Sequence, residues 1–290
     1  MSNSSSAPQS LRLAAGLYFI ATPIGAARDI TLRALDLLTS ADVLAAEDTR
    51  TLRHLMEIHG VPLRDRPLVA YHEHNNDQAL PRLLGAIAAG KSVLYASEAG
   101  TPLISDPGFQ LSRAAISEGY SVLSAPGASA VLCALTVSGL PSDRFFFAGF
   151  PPAAKAARET FFRNLAQVQA TLILYESPKR INQSLTDLAH VMGENRSAAV
   201  CRELTKKFEE VSRGTLGALA LAFQDRDVKG EIVLLVDRAP EQVADADVVE
   251  NALDHALTHM SMKDAAAAVA QAYGLARRDV YQMALKRSGS

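Results

Sequence analysis

The sequence predicts an α/β protein of two lobes, a parallel-sheet N-terminal lobe and a mixed-sheet C-terminal lobe, followed by a small helical C-terminal appendage. Three observations carry this. Short apolar runs alternate with amphipathic stretches from Leu17 onward, the loops after those runs are rich in Pro and Gly, and the texture past Val236 becomes wholly helical. At 290 residues and 48% hydrophobic, the chain exceeds one ordinary core and suits two lobes.

The first strand spans Leu17 to Ala21; a Pro/Gly loop follows, then a helix with Leu32, Leu35 and Leu38 on one face. Strands recur at Val43 to Ala46, Leu68 to Tyr71, Val93 to Ala96 and Val122 to Ala125, with helices such as Ala79 to Ala88 between them. That alternation implies a parallel sheet covered on both faces. The aromatic run from Phe145 stops at Pro151 and Pro152, which places a lobe boundary there and gives lobes over 16–149 and 150–238. The second lobe reads as strands at Thr171 to Tyr175, Ala198 to Arg202, Glu209 to Arg213 and Ile232 to Val236, with a helix from Ile181 to Val191.

An acidic linker (Glu241, Asp245, Asp247) leads into a helical tail over 247–290. There Ser261 caps a helix that Gly274 closes, and a further helix carries Arg277 and Arg278 at its start, with Val280, Tyr281 and Leu285 for packing. Residues 1–15 read as a disordered Ser-rich tail rather than a signal peptide, because Arg12 interrupts any apolar stretch. No uncharged apolar run reaches bilayer length, and Cys133 and Cys201 read as buried thiols, so the expected location is cytoplasmic with no membrane partner. The formal charge of -2 supplies no global field toward nucleic acid, so such contact must rest on local basic patches.

Gly85 to Ser92 satisfies the nucleotide-phosphate loop pattern, but a helix precedes it and a strand follows. The order is inverted, so Gly90 reads as a helix terminator and Lys91 as a last-turn cation. Three other rigid loops follow strands: Ala21 to Gly25, Ser97 to Gly108 and Pro126 to Ser129. At the carboxyl edge of a parallel sheet they form a ligand pocket. Thr101 and Ser105 offer it hydroxyls, and Glu98 and Asp106 offer carboxylates suited to a cation. His72 and His74 lie two apart with no recognisable third ligand, so they read as a polar loop cluster, and no metal is expected. Lys179-Arg180 and Lys206-Lys207 follow strand ends, where phosphate contact and plain solvated charge are both open readings.

Seven motifs in order, Thr-Pro-Ile-Gly, Ala-Glu-Asp-Thr-Arg (Ala46 to Arg50), Ala-Gly-Thr-Pro-Leu-Ile-Ser-Asp-Pro-Gly, Gly139 to Phe145, Tyr-Glu-Ser-Pro (Tyr175 to Pro178), Arg202 to Lys206 and Lys229 to Val233, resemble the ribosomal RNA small-subunit methyltransferase I family. The resemblance implies a tetrapyrrole-methylase fold, S-adenosylmethionine held between two lobes, a homodimer, and 2′-O-methylation of a decoding-region cytidine in 16S RNA of the small ribosomal subunit. Carried onto matching positions, it implies a cofactor site of Ile24, Gly25, Glu98, Thr101, Pro102, Ile104, Ser129, Ala130, Tyr175, Leu204 and Glu231. Three positions depart from the pattern: Glu98 stands for Asp, Ala26 for Asn and Ala128 for Pro. RNA contacts are expected at His74, Arg180, Lys206, Arg277 and Arg278.

Methyl transfer from a sulfonium requires chiefly alignment, plus an acceptor for the hydroxyl proton. Glu47, Asp48, Asp106 and Glu203 are the candidates. Two rival classes are a tetrapyrrole C-methyltransferase, which would need an apolar trough for a macrocycle, and a helix-turn-helix regulator, for which only the tail speaks.

Overall fold

The computed structural model describes residues 8–72, 74–240 and 246–288. One compact unit ends at Ala239 and a second begins at Pro240.

The first sheet contains β1 (Gly16–Ile20), β2 (Val43–Ala46), β3 (Leu68–Ala70), β4 (Ser92–Ala96) and β5 (Val122–Ala125), in the order β3-β2-β4-β1-β5, with every pair parallel. Helices α1 (Leu32–Ser40), α2 (Thr49–Ile58), α3 (Asn76–Ala88) and α4 (Gly108–Ser117) cover it. Alternation along β1 divides the core: Tyr18 and Ile20 pack with α1 and α2, while Leu17 and Phe19 pack with α3 and α4. Thr31 caps α1 by accepting from the Ala34 N–H at 3.1 Å. The inverted phosphate-loop motif is a helix end: Gly90 N donates to Ile87 O and Lys91 N to Ala86 O, a Schellman closure with Gly90 at φ +80°.

The second sheet runs β6-β7-β10-β8-β9, from β6 (Phe145–Gly149), β7 (Thr171–Glu176), β8 (Ser197–Arg202), β9 (Glu210–Thr215) and β10 (Ile232–Val236). Only β6 and β7 are parallel, so the sheet is mixed as expected. Helices α6 (Lys155–Leu165), α7 (Ile181–Met192) and α8 (Leu216–Phe223) bury one face. Helix α5 (Ala130–Ser138) covers the other through Val131, Ala134 and Leu135, against Ile173, Cys201 and Leu235.

Two boundaries differ from the sequence reading. Because β6 pairs with β7 and α5 packs on the second sheet, the lobes part after β5 and not at 149/150. Prolines mark where a strand stops, not which sheet it joins. Of the tail expected over 1–15, residues 1–7 lie outside the described residues, but Gln9 N donates to Asp36 at 2.7 Å and Leu11 N to the Ser40 hydroxyl at 2.8 Å. Side-chain acceptors on α1 thus hold this segment in place. Cys201 is buried as expected, whereas Cys133 is half-buried.

The second unit packs α9 (Ala246–Leu257), α10 (Met262–Tyr273) and α11 (Arg277–Ser288) around Val249, Leu253, Ala265, Val269, Val280 and Ala284. Ser261 and Gly274 cap α10 as read. Asp247 belongs to the first turn of α9, and Glu241 and Asp245 of the expected linker lie outside the described residues. Tyr281 and Leu285 are exposed; Ala284, one helical phase away, fills the core in their stead. Among the described residues, no helix is long and apolar enough to cross a membrane.

Candidate active site

Strands β1 and β4 are neighbours, but their following helices, α1 and α4, lie on opposite faces of the sheet. Chain reversal at such a point opens a crevice beyond the strand ends. An antiparallel bridge between Thr22 and Gly100 ties the two loops there, each N–H donating to the other's carbonyl at 3.0 Å. The crevice continues between the lobes as a cavity of about 660 Å³, a size suited to a cofactor.

The two loops that approach this cavity are strained. Of the five non-glycine residues with left-handed backbone among those described, Leu103 (φ 71°), Ser105 (φ 59°), Glu203 (φ 51°) and Thr205 (φ 63°) lie in them. Each such conformation costs on the order of 1 kcal/mol or more and persists only where surroundings impose it. Asp106 imposes it on the first loop, accepting from Gly108 N at 2.7 Å, Leu103 N at 3.4 Å and the Tyr95 hydroxyl at 3.0 Å to both oxygens. In the second loop Glu209 accepts from Thr205 N at 2.6 Å, and the Thr205 hydroxyl accepts from Ala26 N across the lobes at 3.2 Å. Gly25 makes this approach possible: a Cβ there would lie 2.5 Å from Lys206 Cγ and 2.6 Å from Thr205 Oγ1.

The structure brings Ile24, Gly25, Glu98, Ile104, Ala130, Tyr175 and Glu231 together on the cavity wall. Leu204 lines a small apolar recess beside it with Cys201 and Val233. Thr101, Pro102 and Ser129 are not on the wall: the Thr101 hydroxyl donates to Ala128 O at 2.9 Å and braces one loop against the next. Among the carboxylates read as proton acceptors, Glu47 and Asp106 line the cavity, whereas Asp48 and Glu203 do not. Asp48 caps α2 and is held by Arg50, which lowers its pKa to about 2. Glu203 accepts from Glu231 N, and then from Lys206, and its pKa is lowered. Burial raises the pKa of Asp106 against its hydrogen bonds from Gly108, Tyr95 and Leu103.

The residues expected at RNA divide. Lys206 lies on the cavity wall, and its ammonium donates to Glu203 and Glu231, both at 2.9 Å. Burial pulls its pKa down, but the two carboxylates outweigh that and the net shift is upward. Arg180 is ion-paired to buried Glu176 at 2.8 Å and donates to Pro151 O. His74 is exposed, edge-on to His72, and Arg277 and Arg278 are exposed at the start of α11.

Residues 16–220 match the family described as Tetrapyrrole (Corrin/Porphyrin) Methylases, and residues 242–288 match the RsmI C-terminal HTH domain. A Mesorhizobium japonicum protein named Ribosomal RNA small subunit methyltransferase I is 45% identical over 271 residues, covering 93% of this chain and 91% of that protein. One of the same name from Xylella fastidiosa is 44% identical over 269 residues, covering 91% and 97%. The chain belongs to the ribosomal RNA small subunit methyltransferase I family. Uroporphyrin-III C-methyl transferase from Thermus thermophilus, solved with S-adenyl homocysteine, shares the fold at a TM-score of 0.53 and 17% identity, over 77% of this chain and 97% of that one.

Within this member of the ribosomal RNA small subunit methyltransferase I family, sequence reading missed Thr51, Phe150, Ser177 and Gly230 on the cavity wall. Gly230 has φ +92°, and a Cβ there would lie 2.4 Å from the Glu203 carboxyl carbon. A glycine two residues before a strand is the available signal. Phe150 is visible too, as the last aromatic before Pro151, but there the sequence marks only a boundary.

Proposed function

We propose that this chain uses S-adenosylmethionine to methylate small-subunit ribosomal RNA, and that the acceptor is the 2′-hydroxyl of a decoding-region cytidine. The observation that carries the cofactor is the charge of the cavity. Glu47, Glu98, Asp106 and Glu231 line it against one amine, Lys206, which is already bridged to Glu203 and Glu231, while the Glu176 beside them is paired with Arg180. Such a wall repels polyphosphate and favours a cation with an apolar arm, for which Ile24, Ile104, Ala130 and Val233 supply the surface.

S-adenosylmethionine supplies an electrophilic methyl group on a sulfonium. The chain's part is to hold the acceptor oxygen in line and take its proton. Asp106 anchors its loop through Leu103 N and Gly108 N, and Glu47 lines the cavity directly after β2, so the proton acceptor we assign is Glu47. Thr101, Pro102 and Ser129 act behind the wall by setting loop shape. Arg277 and Arg278 hold RNA phosphates from the helical tail, the lobes serve methyl transfer, and the protein works as a cytoplasmic homodimer.

The test is transfer of labelled methyl from S-adenosylmethionine to small subunits purified from cells lacking the gene, with nucleoside mass spectrometry of the digested RNA. The expected product is 2′-O-methylcytidine, absent with Glu47→Gln. A base-methylated nucleoside would refute the ribose acceptor, and cofactor binding without transfer to the subunit would refute the RNA substrate.

A further inference from the structure

The second-lobe wall of the cavity ends in aromatic rings packed edge to face. Tyr175 stands between two phenylalanines, edge-on to Phe147 at 4.9 Å between centroids and to Phe150 at 5.4 Å. Phe147 and Tyr175 pack on the apolar core beneath α5, but Phe150 lies outside that core. It lines the cavity and is 54% exposed.

The backbone that carries the ring is also held in place. Phe150 precedes Pro151, which restricts its backbone to extended conformations. The Pro151 carbonyl accepts from Arg180 Nη1 at 3.1 Å, and Arg180 is tied to Glu176, itself buried and bonded to the Ser184 hydroxyl. A braced, half-solvated aromatic face at a cavity contributes little to folding. It is suited to receiving a second flat ring.

Ribose methylation supplies that ring. To bring a 2′-hydroxyl into the cleft, the nucleotide must leave its stack, and its base then needs a new surface. The carboxylates suited to a sulfonium come mostly from first-lobe loops (Glu47, Glu98, Asp106), whereas the aromatic rings come from the second lobe. We propose that Phe150, braced by Tyr175, is the platform on which a base of the substrate RNA stacks while its ribose is methylated. This rests on the reading of RNA as substrate.

The chain has no tryptophan, so Phe150→Trp places its sole tryptophan, excited selectively beyond the tyrosine absorption, at the platform. Its emission should be quenched by small subunits from cells lacking the gene, and unchanged by S-adenosylhomocysteine alone. Phe150→Ala and Phe150→Leu should each raise KM for the subunits by roughly 5- to 100-fold, with S-adenosylmethionine affinity unchanged. Phe150→Tyr should restore most of the loss, because a flat face and not bulk is required. Phe145→Ala, exposed on the same aromatic run but off the cavity wall, should leave KM as in the wild type.

A Phe150→Leu enzyme with wild-type KM overturns the platform. So does weakened cofactor affinity in Phe150→Ala, which would assign the ring to adenine, or a lowered mass of Phe150→Ala by light scattering, which would assign it to a subunit interface. If the wild-type chain transfers no methyl group to the subunits, the RNA reading itself has failed, separately from the role of Phe150.

Discussion

Gly25→Ala tests the contact that closes the lobes over the cleft. The new methyl would sit 2.5 Å from Lys206 Cγ, 2.6 Å from Thr205 Oγ1 and 3.0 Å from the Leu204 carbonyl oxygen. The Lys206 chain can swing, but Thr205 is pinned through Glu209 and Leu204 is buried in the core, so the loop must give by several tenths of an ångström. Overpacking of this kind costs about 1–3 kcal/mol, which for a unit of this size lowers Tm by roughly 2–12 °C. Displacing Thr205 also breaks its bond from Ala26 N and moves Lys206 against Glu231 on the cavity wall. Cofactor affinity should therefore fall together with Tm. Gly85→Ala is the matched control, since a Cβ there meets nothing within 4 Å inside α3. It should stabilise by about 0.5–1 kcal/mol through helix propensity. Scanning fluorimetry and titration calorimetry with S-adenosylmethionine read both effects. A Gly25→Ala protein with wild-type Tm and cofactor affinity would refute the close approach of the lobes.

Arg158 and Asp187 form an ion pair at 2.7 Å with side chains only 2% and 6% exposed. Arg158→Leu should cost about 3–5 kcal/mol by stranding the carboxylate, and Asp187→Leu added to it should recover much of that in chemical denaturation. Glu210 has its pKa lowered to about 2, first by hydrogen bonding from Arg226 and then, against desolvation, by Arg202. A depressed folded pKa stabilises above the ordinary value of 4.5, and that contribution is lost as pH falls toward 2. The Tm gap between wild type and Glu210→Gln should accordingly close over that interval, and a gap independent of pH would count against the pairing. Replacing Arg277 and Arg278 together by Ala should reduce the slope of log affinity for small subunits against log salt by about 1.5, with cofactor binding intact. An unchanged slope would remove the tail from the RNA contact.

The sequence made the α/β order, the strand-end loops and most of the cavity wall legible, because each is written locally. Ile24, Ile104 and Ala130 sit at fixed offsets from Pro and Gly turns that only a few backbone conformations satisfy. What escaped depends on distant partners. Lys206 reads as surface charge until Glu231, 25 residues on, folds back beside it. The apolar face of α5 is equally consistent with either sheet, and nothing within β6 says that β7 is its neighbour. On α11, Val280 packs as its sequence suggests, but the small Ala284 carries no hydrophobic signal, so Tyr281 and Leu285 read as its packing partners instead.

The left-handed residues facing the cavity bear on what ligand binding must accomplish. Leu103, Ser105, Glu203 and Thr205 are fixed by bonds internal to the protein, from Asp106 on one side and Glu209 with Glu231 on the other. The ordering of these loops is completed during folding, so an incoming ligand spends none of its binding energy on arranging them. Substitutions at Asp106 or Glu209 would reverse that, shifting the cost of ordering from the folding reaction to every encounter with a ligand.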